Sequence, residues 1–515
     1  MKTLFYSLLM TLFLVACGEK NVTQAQSAVE KTKELVVVAP WEITSLDLSK
    51  SGYLFQRMQL VETLVEVLPD GTLIGGLAES WQNNQDGTVW TFMLRPDVKF
   101  HNGSMLTAED VVKSLTVALT KPTVLKSALI EHIIALDDKT VQITLGKGLI
   151  AFPAYLTHST AGILSQTSFD SKNKIHQIIG TGPYQVVNIE APQKIEQVAF
   201  ADYWGEKAKI KQVSYLANSR SETRTLLVQS NPNYLVFNLD PASTQRLLQD
   251  PNLQVQSQSI ARTIQYKVNG QHPLFSDIRI RQLLSQAIDR KGIAESVLRI
   301  QNGMAEELFP NAFADWRLGV ENQQPNFGQI KADLIALGFT EDAQGMLQKA
   351  GKPFKFTLKT YSDRPELPII ATALQNQWRQ IGVDVNVSIS NFSDIPAGHQ
   401  DGSLEMALYG RNYGMIPDPM GVLLADFSPN GGDWGVMNWQ SESLNQALNT
   451  LQMTTDKAKQ RDLKQEIAKI IYTERPITPI VFYQQNIAAS KNLQGLSIDP
   501  FERNFALNKL SWAQY

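Results

Sequence analysis

The sequence has little of what disulfide, zinc and iron–sulfur proteins need, because its 515 residues include a single cysteine, Cys17. That count excludes disulfide scaffolds, Cys-rich zinc sites and iron–sulfur clusters. A basic excess is missing too: Lys and Arg number 47 against 50 Asp and Glu, which gives a net charge of -3. Nucleic-acid binding depends on cationic side chains that neutralise phosphates. The composition therefore argues against a nucleic-acid-binding protein.

Long apolar runs are missing after the N-terminus, and no later segment approaches the roughly 18 consecutive apolar residues of a membrane-spanning helix. Hydrophobic residues still make up 43% of the chain, too many for a disordered protein. The length exceeds the roughly 250–300 residues at which one hydrophobic core stops growing. We therefore expect a soluble protein with at least two lobes.

The first residues, MKTLFYSLLMTLFLVAC, have the form of an export signal. Lys2 is followed by an apolar stretch that is short for a bilayer core of about 30 Å. The four residues that end at Cys17 (LVAC) resemble the bacterial lipobox, in which the cysteine becomes the lipidated first residue. We expect residues 1–16 to be a lipoprotein signal peptide and residues 17–33 a flexible tether. The alternative is an ordinary signal peptide that contains a cysteine.

Strand and helix patterns alternate in the first part of the remaining chain. Residues 34–40 form a short apolar run typical of a buried strand. Residues 88–94 are rich in strand formers and place Trp90, Phe92 and Leu94 on one face. Thr107, with an acidic residue three positions later, predicts the capped start of a helix.

The second half of the chain continues this mixture. Apolar residues recur at helical spacing over residues 280–288, and a further helix is predicted to end before Gly382. Alternating residues over 383–389 predict a strand, and residues 463–471 and 478–483 predict a late helix and a late strand. The fold class is therefore mixed α/β.

No catalytic motif is present. Phosphate-loop, dinucleotide-binding and nucleophile-elbow patterns are missing. Ser171 and Lys174 match SxxK, but this short pattern lacks its companion serine-hydrolase signatures. No two histidines have the spacing of a metal-binding helix pair; the six are His101, His132, His158, His176, His272 and His399.

Aromatic residues are concentrated in two Gly- and Pro-rich segments. One segment, NGGDWGVMNW, contains Trp434 and Trp439, and the other, GRNYGMIPDPM, contains Arg411, Tyr413 and Asp418. Loops that combine rings with a few charges can line a ligand pocket. The same segments also fit irregular surface loops anchored by their aromatic residues, and the residues alone leave both interpretations open.

Residues 60–112 closely resemble a signature of bacterial extracellular solute-binding proteins, family 5, the peptide- and nickel-binding class that serves ABC importers. The matching features in this segment are Asp70-Gly71, Leu77-Ala78-Glu79-Ser80-Trp81, Asp86-Gly87, Leu94-Arg95, Val98-Lys99-Phe100, Asn102-Gly103 and Asp110-Val111-Val112. Four later matches keep the family's order, at residues 180–184 (GTGPY), 203–205 (YWG), 278–290 and 378–383 (WRQIGV). The resemblance covers essentially the whole chain after the export signal.

The resemblance implies a two-lobed periplasmic-binding-protein fold (type II, cluster C) with an extra subdomain on the first lobe. It predicts a first lobe from residues 34–59, 183–268 and 484–515, an extra subdomain from 60–182 and a second lobe from 269–483. The lobes would close around a ligand and deliver it to a membrane permease and its ATPases. The resemblance implies no enzymatic activity and no cofactor, and we expect a monomer.

Most signature residues are expected to be structural. Residues 180–184 should form a tight crossover in which Tyr184 is packed, and Arg95 should bind a carboxylate or backbone carbonyl groups. Asp70-Gly71 and Asp86-Gly87 are predicted to form hairpin turns.

The resemblance leaves the ligand open. In peptide-binding relatives an acidic residue of the second lobe pairs with the peptide's amino group, and Asp418 is the available carboxylate here. In nickel-binding relatives arginines and aromatic rings hold a metal chelate, a role that fits Arg411 and Tyr413, but the position of a further arginine is occupied by His158. The cleft therefore looks poor in positive charge, which ranks a peptide-like ligand first and a metal chelate second. The candidate ligand-binding residues are Arg411, Tyr413, Asp418, Trp434, Trp439 and His158.

Two alternatives from other functional classes follow. A periplasmic sensor or chaperone could use the same fold without import. A secreted enzyme would need a nucleophile and base pair, which the sequence does not reveal.

Overall fold

The largest element of the fold is a ten-stranded mixed sheet. The computed structural model describes residues 34–362, 364, 366–391, 393–427 and 432–513. Residues from Lys33 onward form one compact unit. The predicted signal peptide, Cys17 and the predicted tether lie outside the described residues.

Twenty-one strands and twelve α-helices are described. The strands are β1 (Leu35–Ala39), β2 (Val65–Val67), β3 (Leu73–Gly75), β4 (Ala78–Asn83), β5 (Val89–Leu94), β6 (Ile130–Asp137), β7 (Thr140–Leu145), β8 (Tyr184–Glu190), β9 (Lys194–Ala199), β10 (Gln212–Ala217), β11 (Tyr234–Phe237), β12 (Leu253–Val268), β13 (Thr340–Glu341), β14 (Leu347–Lys349), β15 (Lys352–Pro353), β16 (Lys355–Tyr361), β17 (Asp384–Ser390), β18 (Met406–Asn412), β19 (Ile477–Ser490), β20 (Leu493–Gln494) and β21 (Ser511–Trp512). The helices are α1 (Leu48–Arg57), α2 (Ala108–Leu119), α3 (Phe152–Tyr155), α4 (Ser221–Ser230), α5 (Pro241–Leu248), α6 (Ile278–Gln286), α7 (Phe327–Ala336), α8 (Glu366–Gln380), α9 (Asp394–Gln400), α10 (Met420–Phe427), α11 (Glu442–Met453) and α12 (Lys457–Glu474).

Two long antiparallel strands, β12 and β19, lie in the middle of the large sheet. The strand order is β17-β16-β18-β12-β19-β11-β1-β10-β9-β8. β12 pairs with β18 only from Arg262 onward, and β19 pairs with β11 only from Ile487 onward. The central pair therefore extends from one half of the sheet into the other.

Each half of the sheet has its own apolar core. In the second half, Trp378 of α8 is fully buried and donates its indole N–H to the carbonyl of Leu284 at 2.9 Å. Its ring packs edge-on against Tyr266 of β12, with the centroids 5.6 Å apart. The predicted end of this helix is confirmed, since Gly382 follows it with a φ of +81°, a conformation that favours glycine.

A separate four-stranded sheet, in the order β4-β5-β7-β6, forms the core of the signature segment. Trp90, Phe92 and Leu94 are buried on one face of β5, as their alternation predicts. Helix α2 packs on this sheet and begins with the predicted capping box between Thr107 and Asp110. Throughout this article the subdomain means residues 60–182, which contain this sheet.

The GTGPY segment passes close to the end of helix α1. A Cβ atom on Gly180 or Gly182 would lie 2.0 Å from the carbonyl oxygen of Leu60 or Gln59, so a larger residue cannot fit at either position. Tyr184 is fully buried, and its hydroxyl lies 3.1 Å from the carbonyl oxygen of Ile210, to which it donates. The tight crossover and the packed tyrosine are both confirmed.

Glu62 joins two further parts of the signature. Its carboxylate accepts hydrogen bonds from Thr181, Tyr203 and Trp204 at 2.7, 2.8 and 3.0 Å. Arg95 binds the carbonyl oxygen atoms of Gly75 and Gly76, which confirms its structural role. The signature residues therefore fix the subdomain to the first half of the sheet.

Candidate functional site

Arg411, the predicted chelate-binding arginine, is paired inside the protein. It lies on β18, and its Nε and Nη2 atoms donate to the two carboxylate oxygens of Asp426 at 2.7 and 2.5 Å. Asp426 belongs to α10, and its side chain is 1% exposed. Burial disfavours the charged carboxylate and raises the Asp426 pKa, while Arg411 opposes that shift. The positive charge of Arg411 is therefore already balanced by a buried acid.

Tyr413 is fully buried and forms part of a hydrogen-bonded chain. Its hydroxyl donates to Gln265 Oε1 at 3.0 Å, and Gln265 Nε2 donates to the Tyr409 hydroxyl at 3.1 Å. Tyr409 in turn donates to the backbone oxygen of Trp434 at 2.8 Å. Tyr413 thus supports the loop that contains Trp434 through this hydrogen-bonded chain, and its side chain does not reach solvent.

The two tryptophans predicted to line a pocket both anchor their loop. Trp434 packs against Tyr409, with ring centroids 5.5 Å apart, and also against Tyr361. Trp439 packs edge-on against Phe427 of α10. Both side chains are half-buried, so part of each ring still reaches solvent.

Asp418 and His158 lie where the second half of the protein meets the subdomain. Asp418 accepts a hydrogen bond from the backbone N–H of Met420 at 2.8 Å, at the start of α10. His158 Nδ1 accepts from the backbone N–H of Thr160 at 3.2 Å. Burial, and then Arg503, lower the pKa of His158 to about 3, so this imidazole is neutral at physiological pH.

Arg503 connects the chain segments that carry these two residues. Its guanidinium donates to the carbonyl of Thr157 in the subdomain and, at 3.1 Å, to the carbonyl of Met415 in the loop after β18. The neighbouring Ile416 is 2% exposed and belongs to the apolar core of the subdomain, where Tyr155 also lies. The loop after β18 therefore inserts into the subdomain.

A second contact joins the same two parts of the protein. The backbone N–H of Ile150 donates to the carbonyl of Gln452 on α11 at 3.3 Å, and Lys147 Nζ donates to the Gln452 side chain at 3.1 Å. Together with Ile416, these contacts join the second half of the protein to the subdomain.

The charged cluster that the sequence did not reveal surrounds Glu502. The Glu502 carboxylate lies 2.9 Å from Arg262 Nη2 on β12 and 3.5 Å from Arg57 Nη2 at the end of α1. Arg57 also donates to the backbone oxygen of Glu502 at 2.6 Å. Burial opposes ionisation of Glu502, but Arg262 and Arg57 outweigh it and hold the pKa of this carboxyl below its ordinary value. Glu502 is therefore ionised at neutral pH.

Arg364 completes this cluster, which we call the arginine cluster (Arg57, Arg262, Arg364 and Glu502). It follows β16, and its guanidinium carbon lies 5.3 Å from the ring centroid of Tyr483 on β19. Its backbone carbonyl accepts a hydrogen bond from the N–H of Leu367 at 3.0 Å. Among the described residues, its guanidinium has no ion-pair or hydrogen-bond partner. It interacts electrostatically with Glu502 and with Glu366 at the start of α8. Three guanidinium groups thus face two described carboxylates.

Aromatic side chains flank the arginine cluster. The guanidinium carbon of Arg57 lies 4.3 Å from the ring centroid of Trp41, and that of Arg262 lies 5.8 Å from Tyr483. Trp41, Tyr483 and Arg364 are all partly exposed. A site that combines excess positive charge with partly exposed rings suits an anionic group attached to an apolar or planar body.

The arginine cluster adds positive charge that the expectation of a cleft poor in such charge did not include. That expectation counted residues near the predicted loops, whereas the arginine cluster draws on α1, β12, the segment after β16 and the C-terminal segment. Arg57 and Glu502 are 445 positions apart.

Neither a metal-binding cluster nor a membrane-spanning helix occurs among the described residues. No group of three or more His, Cys, Asp and Glu side chains there could hold a metal ion. Within the same ranges, no helix has both the length and the apolar composition needed to cross a membrane.

The sheet shared between two lobes, the inserted subdomain and a charged site between the lobes define a two-lobed solute-binding protein. Residues 72–434 match the family described as "Bacterial extracellular solute-binding proteins, family 5 Middle". The chain belongs to this family.

Relatives with different ligands resemble the chain over most of its length. It is 25% identical to the nickel-binding periplasmic protein of Escherichia coli K12, over 95% of this chain and 96% of that protein. It is 23% identical to the dipeptide-binding protein of the same organism, over 88% of this chain and 90% of that protein. Among solved structures, NikA from Brucella suis in complex with Fe(III)-EDTA superposes with a TM-score of 0.84, covers 93% of this chain and 100% of that chain, and is 20% identical.

Proposed function

We propose that this protein is the lipid-anchored, extracytoplasmic binding component of an ABC importer, and that it captures a peptide-like ligand at the arginine cluster. The observation that carries the proposal is the excess of guanidinium groups over described carboxylates between the two lobes. A peptide's C-terminal carboxylate matches Arg364 in charge and geometry, because a guanidinium can donate two parallel hydrogen bonds to one carboxylate. The partly exposed rings of Trp41 and Tyr483 would contact its side chains.

Capture by lobe closure follows from the position of the cluster. Arg57 belongs to the first half of the sheet and Arg364 to the second, so a ligand that contacts both stabilises the closed arrangement. A ligand shifts such an equilibrium only through contacts that the open state lacks. The protein would act by binding and delivery, as a monomer, with its permease recognising the closed form.

A metal chelate is the second candidate ligand. No described group of residues could hold a bare metal ion, so a metal would arrive bound to an organic chelator. The carboxylates of such a chelator could occupy the arginine cluster. The nickel-binding relative in Escherichia coli supports this candidate, because it matches nearly the whole chain.

Thermal unfolding of residues 33–515 tests the proposed ligand. The protein is first denatured and refolded to remove any ligand carried through purification. Di- to pentapeptide pools are then compared with the same peptides amidated at the C-terminus, with nickel plus free histidine, and with nickel alone. A ligand at 100 times its Kd stabilises the folded state by about 2.7 kcal/mol.

Each arm of this experiment has a distinct meaning. Stabilisation by free peptides but not by their amides supports the peptide-like ligand at the arginine cluster. Stabilisation by nickel plus histidine alone favours the chelate. If neither class stabilises the protein, the proposed ligand is wrong and a sensor or chaperone function gains weight. Incorporation of radiolabelled palmitate into the full chain, and its loss in Cys17→Ala, tests the proposed lipid anchor separately.

A further inference from the structure

Three exposed lysines form a row immediately before strand β10. Lys207, Lys209 and Lys211 alternate with Ala208 and Ile210, which are 5% and 3% exposed. Because the apolar residues point into the core of the first half of the sheet, the lysines project from the same side of the chain into solvent. The row is built by the fold and is not an accident of a loose loop.

A fourth lysine extends the row from a distant part of the chain. The Tyr184 hydroxyl lies 3.1 Å from the carbonyl oxygen of Ile210 and 3.3 Å from that of Leu507, so the two segments lie side by side. Asn508 Nδ2 donates to the carbonyl of Glu206 at 3.1 Å, which aligns the segments further. Lys509 follows at once and is exposed. We call Lys207, Lys209, Lys211 and Lys509 the lysine patch.

The charges of the lysine patch are not neutralised locally. Within the described chain, none of its four lysines forms an ion pair, although lysines elsewhere do, such as Lys99 with Asp202. Of the exposed acids in this region, Asp202 lies near Lys207 but is paired with Lys99. The other two, Glu34 and Glu206, are outnumbered by the four lysines. This local excess contrasts with the whole chain, whose net charge is -3.

The lysine patch lies beside the point where the described chain begins. Strand β1 pairs in parallel with β10, and its first residue, Leu35, lies opposite Val213. Glu34 accepts a hydrogen bond from the hydroxyl of Ser214. Lys211 is two residues before Val213, so it lies near the end of β1 where the proposed tether would join.

We propose that the lysine patch binds the anionic phospholipid headgroups of the membrane that carries the lipid anchor, and so holds the first lobe against that surface. The orientation of the first lobe on the membrane rests on the proposed function, because only a lipid-anchored chain keeps the lysine patch near a membrane. The positive charge of the patch does not depend on that proposal. Basic side chains near an anionic surface each strengthen binding about fivefold at moderate salt, and the effect is confined to within a Debye length. Binding would leave the opposite edge of each lobe free.

Vesicle co-sedimentation of residues 33–515, the compact unit, isolates the patch from the anchor. Vesicles of phosphatidylcholine containing phosphatidylglycerol are compared with vesicles of phosphatidylcholine alone. The test variant is K207Q/K209Q/K211Q. The matched control is K457Q/K459Q/K469Q, which removes the same charge from exposed positions of α12. Circular dichroism confirms that both variants are folded.

The expected result is binding to anionic vesicles that falls about 100-fold in the patch variant and little in the control, and that weakens with salt. Equal binding to both kinds of vesicle, or equal loss in the two variants, would overturn the proposal. If the full chain carries no lipid, the palmitate experiment shows it. The vesicle result would not change, because residues 33–515 do not include Cys17. The two failures are therefore distinguishable.

Discussion

The guanidinium of Arg411 holds both oxygens of the Asp426 carboxylate, at 2.7 and 2.5 Å, in a pair that is almost completely buried. A buried acid of this kind is tolerated only while its partner remains. The pair gives Arg411 a structural role, while its predicted contact with the ligand stays a prediction.

Replacement of Arg411 should destabilise the protein. Arg411→Met leaves Asp426 buried without a partner, so we expect the free energy of unfolding to fall by about 3–5 kcal/mol. The double variant R411M/D426L, which removes both charges, should recover most of that loss. Urea denaturation measures both effects. If R411M loses ligand affinity while its stability is unchanged, Arg411 contacts the ligand after all.

Arg364 should behave in the opposite way. Its guanidinium has no described hydrogen-bond partner, so Arg364→Gln should leave stability nearly unchanged. A hydrogen bond to a charged group contributes about 1.5–3 kcal/mol, so the same change should weaken binding of a carboxylate ligand about 10- to 150-fold. Isothermal titration with the peptide or chelate found in the thermal screen measures the affinity. Arg379→Gln, on the exposed face of α8, is the matched control.

Ile416 should affect affinity without touching the ligand. Its side chain fills part of the subdomain core, so Ile416→Ser should destabilise the closed arrangement by about 2–4 kcal/mol. The ligand would then have to supply this free energy, and its Kd should rise. Small-angle scattering of the ligand-free protein should show a larger radius of gyration. Met415→Ser changes the exposed neighbour and should have little effect; similar behaviour of the two variants would contradict the role of Ile416 in closure.

Glu66 should make stability depend on pH. Burial, and then the nearby Glu62, raise its pKa from 4.5 to about 7. This folded-state pKa lies above the unfolded value, so the ionised carboxyl destabilises the folded protein. The free energy of unfolding should therefore rise as the pH falls from about 7 towards 4.5 and Glu66 becomes protonated in the folded state. Glu66→Gln should therefore be more stable than the wild type at pH 8, by about 1–3 kcal/mol.

The difference between Glu66→Gln and the wild type should shrink as the pH falls and become smallest below pH 4.5, where the carboxyl is mostly neutral in both the folded and the unfolded state. Comparison at each pH cancels the opposite trend from buried His158, whose lowered pKa makes stability fall in acid. Denaturation curves across this range provide the measurement, with exposed Glu466→Gln as the control. A constant difference at all pH values would mean that Glu66 does not titrate as described.

Local patterns predicted the local structure well. The alternation around Phe92 and the capping box at Thr107 depend on neighbours within a few residues, and both are confirmed. The glycines of GTGPY were recognised by resemblance, and the close approach to Gln59 and Leu60 explains why they are needed.

The charged residues between the lobes could not be predicted in this way. Whether an arginine is free or neutralised depends on a partner brought by the fold, as Asp426 is to Arg411 and Glu502 is to Arg57. Periodicity carries no information on such pairs. The sequence therefore identified a set of loops, while the balance of charge around them emerged only from the three-dimensional arrangement.

The central strand pair is interrupted beside the arginine cluster. Residues 260–262 of β12 lie opposite the single residue Tyr483 of β19, between the paired positions Ser259 and Thr263. At this position the backbone of β12 forms hydrogen bonds outside the β12–β19 pair. The N–H of Ala261 donates to the carbonyl of Pro500, and the carbonyl of Ala261 accepts from the N–H of Tyr413. The sheet can therefore change its curvature at this point without breaking its own ladder of hydrogen bonds. A rotation of one half of the sheet against the other would therefore concentrate at this irregularity, beside Arg262.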